Sequence, residues 1–102
     1  MIWLIGNKGM LGTDVGKILA HGKMDYLASD REVDITDIES LRGFVKDRAI
    51  SYIINCSAYT AVDKAEDERD AAFRINSDGV LNIARIALEK DAVLIHISRL
   101  CI

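Results

Sequence analysis

The feature that most constrains this chain is a short apolar run that feeds a glycine-spaced turn. Ile2-Trp3-Leu4-Ile5 is continuously apolar and stops at Gly6, which reads as a strand buried on both faces. Gly6-Asn7-Lys8-Gly9-Met10-Leu11-Gly12 follows. From Met10 to His21 the apolar residues Leu11, Val15, Ile18 and Leu19 fall at helical spacing, and Gly22 is the stop signal. The glycines therefore sit between a strand and a helix. Gly6 permits the tight turn out of the strand, Gly9 leaves backbone open to a close-lying pyrophosphate, and Gly12 lets the helix lie against the sheet. The helix start adds free N–H groups and a partial positive charge, both suited to phosphate. No Gly-Lys-Ser/Thr closes the turn, which disfavours a Walker-type loop. The competing reading is a glycine-rich turn that holds no ligand.

The rest of the chain keeps the same rhythm. Tyr26-Leu27-Ala28 is a second, weaker strand. Thr36 or Asp37 caps a helix carrying Ile38, Leu41, Phe44 and Val45. Tyr52 to Cys56 is a third strand. A long stretch from about Asp67 to Lys90 ends in a helical pattern with Val80, Ile83, Ala84, Ala87 and Leu88 on one side, and Val93 to Ile97 is the last strand. Apolar strands alternating with helical stretches imply right-handed βαβ units and a parallel sheet. The expected fold class is α/β, a Rossmann-type parallel sheet flanked by helices and incomplete at about four to five strands. Residues 1–102 are expected to form one unit, the N-terminal part of a dinucleotide-binding domain, without a substrate domain of the kind that would accompany it.

Composition narrows the function classes. With 28% charged residues and 50% apolar ones, the chain is ordinary globular material rather than a disordered segment. A net charge of −3 without a basic patch argues against nucleic acid as a partner. Cys56 and Cys101 show no metal-ligand or CxxC spacing, so free thiols in a reducing compartment are expected. There is no signal-peptide pattern and no apolar run of membrane-spanning length. The expected location is cytoplasmic.

Asp30 lies just past the second strand, at a distance where an acidic side chain accepts hydrogen bonds from an adenosine ribose. That favours NADH. Arg31 is adjacent, and a guanidinium there suits a 2′-phosphate, which favours NADPH. Both readings stand, as does a solvated charged loop at Asp30-Arg31-Glu32. Asp34-Ile35 suits an adenine amino group and ring face, or equally a turn carboxylate leading into a capped helix.

At Asn55-Cys56-Ser57-Ala58-Tyr59-Thr60-Ala61-Val62-Asp63-Lys64-Ala65-Glu66 the pattern resembles the dTDP-4-dehydrorhamnose reductases of the extended short-chain dehydrogenase/reductase superfamily. Arg74-Ile75-Asn76 and Ile95-His96-Ile97-Ser98 are similar to that family as well, and the resemblance runs from Met1 to Ser98. It implies NADPH- or NADH-dependent reduction of a 4-keto sugar nucleotide in deoxysugar or surface-polysaccharide synthesis. It places Gly9, Met10 and Leu11 on the pyrophosphate, Asp30 on the ribose, and Asp34 and Ile35 near adenine. Ala58, Tyr59 and Thr60 would run toward the nicotinamide ribose, with a buried hydrogen-bonded turn as the alternative. Ile97 takes a place where the family contacts the cofactor, often through an aromatic residue. Asp63, Lys64, Glu66, Asp67 and Glu68 read as a solvated helix start, with acids favoured there by the dipole. Some relatives bind Mg²⁺ at a dimer contact where Asp14 would match, but no metal site is carried over. His21 and His96 read as structural.

The tail departs from the family. Where relatives continue Ser-Thr-Asp-Tyr-Val-Phe, this chain has Ser98-Arg99-Leu100-Cys101-Ile102. Arg99 takes the place of a catalytic threonine, and the later Tyr-x-x-x-Lys pair is absent. Hydride delivery to a carbonyl needs an acid to protonate the nascent alkoxide, so no catalytic residue is assigned and no turnover is expected. One codon choice for Thr-Asp-Tyr-Val-Phe, read in a shifted frame, gives Arg-Leu-Cys-Ile, so a frameshift near Ser98 is the expected origin. An uncovered last strand would also favour self-association into a homo-oligomer.

Overall fold

A computed structural model of the chain describes residues 1–56 and 78–97. The elements are β1 (Ile2–Ile5), α1 (Met10–His21), β2 (Tyr26–Ser29), α2 (Ile38–Val45), β3 (Tyr52–Asn55), α3 (Val80–Lys90) and β4 (Val93–His96). The strands form a four-stranded sheet in the order β2-β1-β3-β4, parallel at every pairing. This is the expected Rossmann-type architecture. The order reverses between β1 and β3, and in such sheets a ligand crevice opens at that reversal, outside the carboxyl ends of the strands. The register brings those ends level: Ile5 pairs with both Ser29 and Asn55, and Asn55 with His96.

Alternation along the strands builds two cores. Trp3, Ile5 and Ile53 point to one face and pack with Leu41 and Val45 of α2 and Ile83, Ile86 and Ala87 of α3. Ile2 and Leu4 point to the other and meet Leu19 of α1 and Cys56. The Trp3 and Phe44 rings lie 5.5 Å apart at 34°, within the range of favourable aromatic pairs. Trp3 is fully buried yet keeps its polar edge satisfied, since its Nε1–H donates to Ser29 Oγ at 2.9 Å.

Two helical stripes differ from expectation. Leu88 is 83% exposed, and Ile86 is buried in its stead. Helix α3 rests on α2 and the sheet along the arc Ile83, Ile86 and Ala87, at spacings of three and four, and Leu88 lies beyond that arc. Ile18 is 69% exposed, because α1 covers its face of the sheet through Leu11, Val15 and Leu19.

Of the two capping candidates, Asp37 caps α2 by accepting from Glu39 N–H at 3.1 Å. The helices α2 and α3 are clamped by Arg42. Its guanidinium donates to Glu89 at 3.1 Å (Nε to Oε1) and 2.7 Å (Nη2 to Oε2), and to Glu39 at 2.7 Å. Lys90 Nζ donates to the carbonyls of Lys46 and Arg48 at 3.4 and 3.0 Å, which satisfies groups left open at the end of α2. Among the described residues no helix is long and apolar enough to cross a membrane.

Candidate functional site

The glycine turn stands at the carboxyl end of β1. Gly6 has φ 82°, a conformation that glycine adopts without steric cost. Its N–H donates to the Ser29 carbonyl at 2.7 Å, and Asn7 N–H reaches the same oxygen at 3.2 Å. The turn is thereby stapled to the end of β2. Gly9 N–H closes it onto the Gly6 carbonyl at 3.3 Å, and Thr13 Oγ1 donates to the Asn7 carbonyl at 3.2 Å.

Gly12 is fixed by packing. A Cβ there would fall onto the Gly6 carbonyl oxygen, 2.7 Å from the Gly6 carbonyl carbon and 2.9 Å from Asn7 Cα. All three neighbours are backbone. Gly9 differs. It is the N-cap of α1 at φ −73° and ψ 170° and gives no side-chain cap, so its backbone would accept any L-residue. What Gly9 supplies is missing bulk over a helix start. The first intrahelical bond runs from Thr13 N–H to the Gly9 carbonyl at 2.9 Å, so the amides of Met10, Leu11 and Gly12 are the open donors of α1. Met10 is 72% exposed. Lys8, Met10, Leu11, Thr13 and Asp14 line an open groove of about 420 Å³ beside the turn. Asn7 Oδ1 is buried and accepts no hydrogen bond, which leaves an unused acceptor inside the turn.

Asp30 follows β2 and is half-buried. One carboxylate oxygen accepts from Lys8 N–H at 3.4 Å, so the ribose-reading position and the phosphate turn touch. The Asp30 carbonyl accepts from Val33 N–H at 3.2 Å, closing a turn over Arg31 and Glu32. Arg31 is exposed. The Glu32 side chain folds back, and its Oε1 accepts from Asp30 N–H at 3.0 Å. Hydrogen bonds from its own backbone amide first, and from that of Asp30 second, hold the Glu32 carboxyl below the usual glutamate range.

Asp34 and Ile35 are engaged within the protein. Asp34 Oδ1 accepts from both the amide and the hydroxyl of Thr36, at 2.9 and 2.6 Å, which is the turn carboxylate leading into a capped helix. The Ile35 side chain is 8% exposed and lies so close to Gly79 that a Cβ there would meet its Cδ1 at 2.5 Å. Asn82 Nδ2 donates to the Ile35 carbonyl at 3.0 Å. A ring seated here would therefore meet the backbone of this segment rather than the Ile35 side chain.

Ala58, Tyr59 and Thr60 lie outside the described residues, as do Asp63 to Glu68, Arg74 to Asn76, and Ser98 to Ile102. At the strand ends Asn55 is fully buried, and its Nδ2 sits 3.1 Å from His96 Nδ1. Cys56 is buried, and burial raises its thiol pKa, the mark of an inert cysteine. Among the described residues no group of His, Cys, Asp and Glu side chains could hold a metal. Sequence reasoning missed the Trp3–Ser29 bond, the Asn55–His96 pair, the fold-back of Glu32 and the Asn82 tether. Only Ser29 left a signal, as a hydroxyl closing a strand on a face that also carries a tryptophan.

A parallel sheet with a glycine turn at the carboxyl end of its first strand, stapled to the end of the second, defines a Rossmann-type protein. Residues 1–100 match the family model described as the RmlD substrate binding domain, and the chain belongs to that family. The dTDP-4-dehydrorhamnose reductase of Mycolicibacterium smegmatis is 40% identical over 98 residues, which span 95% of this chain and 29% of the relative. The one from Streptomyces griseus is 35% identical over 98 residues, 94% of this chain and 32% of its own length. A crystal structure of dTDP-4-dehydrorhamnose reductase from Bacillus anthracis in complex with NADP superposes with a TM-score of 0.79 at 35% identity, covering 91% of this chain and 34% of that one. L-threonine dehydrogenase from Clostridium difficile gives a TM-score of 0.80 at 26% identity, covering 93% and 35%. This chain thus spans about a third of the length of the relatives it matches.

Proposed function

We propose that this chain is the NAD(P)H-binding portion of a dTDP-4-dehydrorhamnose reductase-like protein. One observation carries the reading: the glycine turn and Asp30 are joined into one ledge at the carboxyl ends of β1 and β2. The residues fit the cofactor. The open amides of Met10, Leu11 and Gly12 would face the pyrophosphate, with Gly9 giving it clearance and Gly6 holding the turn. Asp30 would accept from the ribose hydroxyls. The Asp34-Ile35 backbone would border the adenine, and Ala58, Tyr59 and Thr60 would follow the cofactor toward its nicotinamide ribose. When bound, the reduced cofactor supplies a hydride.

The relatives' names point to a 4-keto sugar nucleotide as the substrate of the whole protein. These 102 residues contain no Tyr-x-x-x-Lys pair to protonate the nascent alkoxide, so on their own they bind cofactor without turnover. A cytoplasmic location accords with the reducing chemistry. Self-association belongs to the same reading, since Val93 and Ile95 on β4 are 55% and 44% exposed beside a sheet edge. A single monomeric species in sedimentation at high concentration would remove that part. The main test is titration of the chain with NADH and NADPH, followed by nicotinamide fluorescence. Saturable binding supports the reading, and no binding by either cofactor rejects it.

A further inference from the structure

Cofactor choice is decided where β2 ends. There a 2′-hydroxyl and a 2′-phosphate make opposite demands. The hydroxyl donates to a carboxylate, whereas the phosphate needs cations and N–H donors and is repelled by carboxylates. Residue types alone leave the contest open, because Asp30 and Arg31 are neighbours.

The geometry adds a third participant. Glu32 bends back over the Asp30–Val33 turn, and its Oε1 accepts from the Asp30 amide at 3.0 Å. The bonding of that carboxylate to backbone N–H also holds it below the usual glutamate range. The backbone N–H of Asp30 at the end of β2, a donor suited to an anion, thus already holds one. Lys8 is a further cation here, and its charge is felt by Glu32. A phosphate arriving at this point would have to displace Glu32 from the Asp30 amide and share Lys8 with it, next to the Asp30 carboxylate.

We propose that Glu32 is a specificity-determining residue, a built-in occupant of the 2′-phosphate seat that biases the site toward NADH over NADPH. This rests on the cofactor-binding reading above and extends it to a residue that the glycine and acid motifs do not include. Arg31 then works against a doubly acidic background formed by Asp30 and Glu32.

The experiment is parallel titration of the full chain and its Glu32→Gln variant with NADH and NADPH at low and high salt. Glu32 is exposed, so its replacement leaves the fold intact, as circular dichroism would verify. The unmodified chain should bind NADH more tightly than NADPH. Glu32→Gln should move the ratio of dissociation constants toward NADPH by about fivefold at low salt, with a smaller shift at high salt. Glu39→Gln removes the same charge from α2 and should leave the ratio unchanged. If the unmodified chain binds both cofactors but Glu32→Gln leaves their ratio fixed, or if Glu39→Gln moves it equally, the role of Glu32 is refuted and the binding site stands. If neither cofactor binds to either protein, both readings fall.

Discussion

Gly12→Ala tests the closest contact in the site. The added Cβ would fall onto the Gly6 carbonyl oxygen and lie 2.7 and 2.9 Å from two further backbone atoms. Carbon atoms prefer about 3.5–4.0 Å, so α1 must retreat by about 1 Å from the turn. That retreat opens the layer where Leu11, Val15 and Leu19 meet Ile2 and Leu4. No flexible side chain among the three neighbours can absorb the clash, which puts the cost at the upper end of overpacking, about 3 kcal/mol. In a domain of this size each kcal/mol moves the melting midpoint by about 4–8 °C, so a fall of about 12–24 °C is expected. Gly43→Ala is the matched control. A Cβ at Gly43 meets nothing within 4 Å, and the residue lies inside α2, where alanine should stabilise by about 0.5–1 kcal/mol. Thermal unfolding by far-UV circular dichroism at matched concentrations measures both. A Gly12→Ala midpoint within about 3 °C of the parent, less than one kcal/mol would give, would refute the close packing of helix on turn.

Ser29→Ala leaves the buried Trp3 N–H without its acceptor and should cost about 1–3 kcal/mol. Most of that loss should be recovered on adding Trp3→Phe only in so far as the smaller ring still fills the core, and a denaturant-based double-mutant cycle separates the two effects. Arg42 holds Glu89 below its ordinary pKa of 4.5. A lowered carboxyl pKa stabilises the fold above that ordinary value, and the contribution fades as pH falls through the folded-state value. The parent should therefore lose more stability on acidification from pH 5 than Arg42→Ala does, and parallel curves would argue against the clamp. Cys56 is buried with a raised thiol pKa, so iodoacetamide should modify it slowly in the native protein and rapidly in urea. Peptide mapping resolves it from Cys101, and fast native labelling of Cys56 would contradict its burial.

The architecture was legible because continuous apolar strands and amphipathic helices leave few arrangements besides a parallel sheet. The glycine turn was legible because Gly6 and Gly12 answer to backbone demands that a sequence displays directly, a positive φ and a missing Cβ. Helix faces were read less well. Periodicity places Leu88 beside Ala87 on a broad stripe, but which part of that stripe is buried depends on how α3 seats on α2, and the Arg42–Glu89 contact that accompanies this seating joins residues 47 positions apart. The acidic segment was read by residue type alone. Which carboxylate faces outward is decided by local folding, which spends Asp34 on Thr36 and Glu32 on the Asp30 amide while leaving the Asp30 carboxylate beside the turn. Ile35 shows the same limit, since its side chain is claimed by the core against Gly79.

The central claim is that the ledge formed by the glycine turn and Asp30 holds a nicotinamide dinucleotide. Gly9→Val tests it most directly. The Gly9 backbone sits at φ −73° and ψ 170°, an extended conformation that valine adopts, and equal unfolding of the two proteins without ligand assigns any loss of affinity to the added bulk in the site. Calorimetric titration with NADH should show saturable binding to the parent chain, weakened at least about tenfold in Gly9→Val, with melting midpoints that agree in the absence of ligand. Absence of saturation in the folded parent, or equal affinity in the two proteins, would contradict the account.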